Sequence, residues 1–96
     1  MQIDLLYFDG CPSWQTALAN LRAAIGDQPI RLIRVETPEQ AEAEQFTGSP
    51  TIRFDGEDIF PAGDATYALA CRLYITPSGS SGAPTTAMLR AVFDNR

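Results

Sequence analysis

The chain has 96 residues, 45% apolar and 20% charged, the make-up of one ordinary globular domain with a single modest core. Its formal charge is −5, its seven basic residues are all arginines, scattered along the chain, and it carries no histidine. That balance argues against nucleic acid or an anionic membrane as a partner. The missing histidine also removes Ser–His and Cys–His nucleophile activation, and with them the commonest metal ligand.

In chain order, Ile3, Leu5, Leu6, Tyr7 and Phe8 make a nearly continuous apolar run closed by Asp9-Gly10, which predicts a central strand buried on both faces. Trp14, Ala17, Leu18, Leu21, Ala24 and Ile25 then recur at helical spacing, with Ser13 as expected N-cap and Gly26 as C-cap. Ile30 to Val35 predicts a second strand, parallel to the first because a helix crosses between them. Thr37-Pro38 starts a short acidic helix running to about Gln45, expected to lie on the surface with its charges solvated. Pro50 to Phe54 alternates as a strand, Asp55-Gly56 is hairpin chemistry, and Glu57 to Phe60 is expected to return antiparallel.

From Pro61 to Gly82 the pattern is less regular. Ala65 to Ile75 is apolar enough to be buried, yet its periodicity fits neither helix nor strand, and Ser78 to Gly82 reads as a flexible loop. Pro84 is expected to open a last helix with Met88, Leu89, Val92 and Phe93 on one face. The whole, residues 1–96, is expected to be a single domain. It starts directly on a strand pattern and has no run of the ~20 apolar residues a membrane span needs, so a cytoplasmic location without membrane attachment is expected.

The chemistry centres on Cys11, in Tyr7-Phe8-Asp9-Gly10-Cys11-Pro12-Ser13-Trp14. A thiol at a strand-to-helix turn faces the positive end of the helix dipole, which favours the thiolate. Asp9 opposes this, so a pKa only modestly below the ~8.5 of free cysteine is expected. The only other cysteine, Cys71, reads either as a buried small residue or as a thiol brought to Cys11 by the segment around it. Trp14 reads as the first core residue of its helix or as an aromatic cover for the sulfur. The other aromatics fall on core positions, so no cofactor is expected.

The element order β-α-β-α-β-β-α with a cysteine at the first strand-to-helix turn resembles the thioredoxin fold, an α/β architecture with a central mixed four-stranded sheet flanked by helices. The resemblance spans the chain except for an insertion at roughly 61–82, before the last helix. Cys11-Pro12-Ser13-Trp14 stands where that family has its C-x-x-C, and Ser49-Pro50-Thr51 where it has a cis-proline beside the active cysteine. The resemblance implies that Cys11 is the reactive group and that Pro12, Trp14, Ser49, Pro50 and Thr51 line the place where a peptide or thiol docks.

Trp14 replaces the family's second cysteine, so the usual dithiol pair is missing. Cys11 then works by a monothiol route with a small thiol, or with Cys71 as a distant partner on a protein disulfide substrate, or the domain binds peptide without redox chemistry. The set Tyr7-Phe8-x-Gly10-Cys11-Pro12-x-Trp14, Gly48-Ser49-Pro50-Thr51, Cys71-Arg72-Leu73-Tyr74 and Gly82-Ala83-Pro84 is also similar to small bacterial thioredoxin-like proteins related to alkylmercury lyase. That lyase has an aspartate where Trp14 stands, so its activity is not implied. Two thiolates, Cys11 and Cys71, remain a plausible ligand pair for a soft metal or an organomercurial, and no resident metal is expected.

Overall fold

The computed structural model describes residues 1–61 and 67–96. Its elements are β1 (Ile3–Tyr7), α1 (Ser13–Ile25), β2 (Arg31–Arg34), α2 (Pro38–Ala43), β3 (Thr51–Phe54), β4 (Glu57–Asp58), β5 (Tyr74–Thr76), β6 (Gly79–Ser81) and α3 (Thr86–Asp94). The first four strands to be paired form a mixed sheet in the order β2-β1-β3-β4, which is an α/β arrangement. β1 is central, as its apolar run predicts. It runs parallel to β2, with Leu5 opposite Leu32, and antiparallel to β3, with Leu5 opposite Ile52.

Alternation along β1 divides the core. Ile3 and Leu5 face α1 and α3, where Ala17, Leu21, Ile52, Phe54 and Leu89 are fully buried. Each large side chain in that layer contributes about 2 kcal/mol by leaving water. Leu6 faces the other way, onto Val35, Ala41 and Phe46. The short helix α2 is therefore a lid on the second face of the sheet and not the free surface helix its acidic composition suggests. Ala41 and Phe46 have no exposed area, while Glu39 and Glu42 point outward.

Helix ends differ from expectation in instructive ways. Pro12, and not Ser13, occupies the N-cap of α1, already in helical geometry and with no side-chain cap. Ser13 is instead the first helical residue, packed so closely on Gly82 that a Cβ there would lie 2.2 Å from its hydroxyl oxygen. α3 starts at Thr86 because Thr85 caps it by accepting from the Met88 N–H at 3.1 Å, and Pro84 lies ahead of the cap. α2 does begin as predicted, with Thr37 accepting from the Gln40 N–H and Pro38 at the first turn. It stops before Gln45, whose φ of 55° leaves the helical region.

The irregular stretch before the last helix holds a hairpin. Gly79–Ser81, expected to be loose, pairs with Tyr74–Thr76 across a Pro77-Ser78 turn. The Thr76 hydroxyl fixes that turn by accepting from the Ser78 N–H at 3.2 Å and donating to the Gly79 carbonyl at 2.6 Å. Pairing by backbone groups explains why a Ser/Gly composition conceals the strand. β4 is likewise shorter than the predicted Glu57 to Phe60, covering Glu57–Asp58, with one further bond to β3 from the Ile59 N–H to the Ile52 carbonyl at 3.0 Å. Ala65 and Thr66, at the start of the apolar stretch, lie outside the described residues. Among those described, no helix is long and apolar enough to cross a membrane.

Candidate functional site

Cys11 lies between β1 and α1, held by its N–H donating to the Phe8 carbonyl at 3.2 Å. Its sulfur lies 3.6 Å from the Ser49 carbonyl, to which it would donate as a thiol. The Ser49–Pro50 bond is cis, and Ser49 is further tied to the Cys11 turn because its hydroxyl accepts from the Phe8 N–H at 3.3 Å. The two motifs singled out in the sequence thus meet in space.

Cys71 completes the site. The Cys11 and Cys71 sulfurs lie at disulfide distance, with Cα atoms 5.7 Å apart, inside the roughly 7 Å limit that a disulfide tolerates. Of the two readings of Cys71, the buried small residue is overturned. Cys71 is exposed, whereas Cys11 is 1% exposed. No group of three or more metal-ligating side chains forms among the described residues.

What brings Cys71 here is a short parallel pairing with Ser49. The Ser49 N–H donates to the Ala70 carbonyl at 2.7 Å, and the Arg72 N–H donates to the Ser49 carbonyl at 2.9 Å. Gly48 makes room. It has a φ of 131°, and a Cβ there would meet the Arg72 Cβ at 3.0 Å and the Ala70 carbonyl at 3.3 Å, so this approach requires glycine.

Arg72 and Tyr74 point the opposite way from Cys71 and fasten the segment to the sheet. Arg72, 7% exposed, donates from Nη1 to Asp58 at 2.8 Å, Thr47 at 3.2 Å and Thr51 at 3.4 Å, and from Nη2 to the Phe60 carbonyl. Its guanidinium also sits 4.7 Å from the Tyr74 ring centre, and the Tyr74 hydroxyl donates to the Pro50 carbonyl. Both residues stand in the Cys71-Arg72-Leu73-Tyr74 motif, but their fastening role is not evident from the sequence. The signal was a two-residue alternation from Ala70 to Ile75, disguised because its inward positions are polar and its outward ones, Leu73 and Ile75, are apolar.

The residues expected to line a docking place are accordingly engaged by the chain itself. Ser49 is paired with Ala70 and Arg72, Pro50 accepts from Tyr74, and Thr51 donates to the Gly48 carbonyl at 2.6 Å while accepting from Arg72. Pro12 is exposed at the head of α1. Trp14 stacks on Tyr7, ring centres 4.1 Å apart, and packs at the edge of the main core, which is the first of the two roles read for it. Comparison of the chain with family models, curated proteins and solved structures finds no match in any of the three. The site is therefore argued from its own geometry. Beside the Cys11 turn an open cleft of about 280 Å3 is lined by Phe8, Gly10, Val35 and Leu69, with Asp9 and Arg34 paired at 2.7 Å on its rim.

Burial pushes the Tyr74 hydroxyl well above its ordinary value of 10.0, with Arg72 pulling down and Asp58 pushing up. A proton held more tightly folded than unfolded stabilises fully below the unfolded value, and that stabilisation is lost as pH rises towards the folded one. Between about pH 10 and pH 12 the oxidised protein should therefore lose stability with an extra slope of up to one proton, absent in Tyr74→Phe. Urea midpoints across this range measure it. Parallel curves for the two proteins would mean that the hydroxyl ionises as freely in the folded chain as in the unfolded one.

Proposed function

We propose that this protein is a thiol–disulfide redox protein on a thioredoxin-like fold, whose working couple is Cys11 and Cys71. The observation that carries the reading is the 5.7 Å Cα separation of two cysteines 60 positions apart, one buried at a strand-to-helix turn and one exposed. The element order and the cis Ser49–Pro50 bond beside Cys11 support the fold assignment. With Trp14 in place of a neighbouring thiol, Cys71 supplies the second sulfur that intramolecular resolution requires. Its fastening through Arg72 and Tyr74 keeps it close at high effective concentration.

The expected result is that mild oxidation of the reduced protein gives one Cys11–Cys71 bond per chain, about 2 Da lighter for two hydrogens lost, seen by peptide mapping. Oxidation that yields only Cys11 adducts or intermolecular dimers would overturn the couple. A second reading, two-thiolate capture of a soft cation such as Hg(II), is favoured by the same sulfur proximity. Titrating the reduced protein with Hg(II), then measuring thiol–disulfide exchange with glutathione, separates the two. Tight one-to-one metal binding with no exchange would select the second.

A further inference from the structure

We infer that Cys71, rather than Cys11, is the sulfur at which a partner thiol or disulfide reacts, and that Cys11 is the buried thiol that departs and resolves. This rests on the redox reading above and assigns the two roles within it. The helix-start position of Cys11 suggests the reverse order, so the assignment turns on access. Cys11 is 1% exposed, whereas Cys71 is exposed in a stretch whose outward positions, Leu73 and Ile75, are 71% and 79% exposed.

Backbone pairing gives the second argument. A partner that approached Cys11 as an extended chain would need the N–H and carbonyl of Ser49, and these are bonded to Ala70 and Arg72 at 2.7 and 2.9 Å. The chain's own Ala70-Cys71-Arg72 thus sits where such a partner would sit, with Cys71 opposite Cys11. Breaking the sulfur–sulfur bond does not by itself clear the place. Arg72 still holds Asp58 at 2.8 Å, Tyr74 still holds the Pro50 carbonyl, and the Ala68 N–H still donates to the Phe46 carbonyl at 3.2 Å. None of these contacts involves sulfur, so Cys11 stays covered in the reduced chain.

The exchange is then fully balanced. A partner thiolate attacks the Cys71 sulfur, the Cys11–Cys71 bond breaks, and Cys11 leaves as a thiolate beside the start of α1, where unpaired N–H groups favour negative charge. A second partner thiolate attacks the partner sulfur of the mixed disulfide, forms the partner disulfide and releases Cys71 as a thiolate. Two partner thiols are oxidised by two electrons, and the protein disulfide is reduced, the two protons passing to its thiols. In the reverse direction the Cys71 thiolate opens a partner disulfide and Cys11 resolves it.

Single-cysteine variants test the order. With the neutral reagent dipyridyl disulfide, Cys71 in Cys11→Ser should react at nearly the rate of a free thiol. Cys11 in Cys71→Ser, whose cover is preserved by a near-isosteric serine, should react at least about 100-fold more slowly until the protein is denatured. Reduced wild-type protein given limiting iodoacetamide provides a measurement without substitution: at least about ten Cys71 adducts should form per Cys11 adduct. Cys11 reacting first in either experiment, while the protein still forms its internal disulfide, overturns the role assignment and leaves the redox couple standing. Failure of the wild-type protein to form that disulfide overturns the couple itself.

Discussion

Arg72→Ala is expected to lower the effective concentration of Cys71 at Cys11 by about 100-fold and to destabilise the fold by about 3 kcal/mol. The reason is burial. Arg72 is 7% exposed and Asp58 22%, and removing one partner from such a pair leaves the other charged and poorly hydrated, at a typical cost of about 3–5 kcal/mol. Partial exposure of Asp58 places the effect at the low end. The link to redox behaviour is geometric, because the same guanidinium also ties Thr47, Thr51 and the Phe60 carbonyl to the segment that carries Cys71. Without it, Cys71 samples positions away from Cys11, and the internal disulfide loses roughly the advantage of being held, a factor of ten for every ~1.4 kcal/mol. Equilibration of Arg72→Ala and wild-type protein in glutathione buffers reads the change directly. Arg72→Lys restores charge without the planar fork, so it should recover only part of the loss. An unchanged glutathione equilibrium in Arg72→Ala would show that this fastening does not set the position of Cys71.

Much of this architecture is legible in the residues, and the rest is hidden for identifiable reasons. The central β1, the crossover to β2, the Thr37-Pro38 helix start and the Asp55-Gly56 hairpin all rest on local chemistry that the tertiary structure reinforces. The meeting of Cys11 with Ser49-Pro50 is implied by the resemblance to the thioredoxin fold, since nothing in their spacing alone brings them together. The 70–81 stretch could not be read in the same way. Arg72 and Tyr74 turn inward to reach Asp58 and Pro50, partners 14 and 24 positions away, while Leu73 and Ile75 turn outward. Hydrophobicity therefore assigns that segment the wrong faces. The neighbouring hairpin is fixed by one threonine hydroxyl and backbone pairing, which leave no hydrophobic pattern. Phe46 misleads in the opposite sense. With Ala41 and Ala43 it makes only a small apolar face on an acidic helix expected at the surface, yet it fills the second face of the sheet, packed with Leu6 and Val35 just after Gln45 leaves the helix.

Asp4→Asn should cost about 3 kcal/mol, lowering the midpoint of thermal unfolding by about 15 °C in a domain of this size. Asp4 is the second residue of the central strand β1, its side chain 1% exposed, in register with Arg31 on β2 and Arg53 on β3. It accepts from Arg31 at 3.0 and 3.2 Å, from Arg53 at 3.4 Å and from Gln2 at 3.3 Å. The hydrogen bond and charge of Asp4 raise Arg31 further above its ordinary pKa. The two arginines are unequal partners. Arg31 is 59% exposed and keeps its hydration when the carboxylate goes, so Arg31→Ala alone should change stability far less than Asp4→Asn does. Arg53 is 16% exposed, and its Nε is buried with no acceptor among the described residues. In Asp4→Asn the carboxylate becomes a neutral amide, and the Glu44 side chain at 3.3 Å would be the one charged partner left among the described contacts of the Arg53 guanidinium, so most of the cost falls there. The double variant Asp4→Leu/Arg53→Met removes both charges from the sheet face and should be less destabilised than the sum of its single changes by at least about 1 kcal/mol. Strict additivity would mean that the Asp4 and Arg53 charges act independently, and the cross-strand pair would then contribute packing alone.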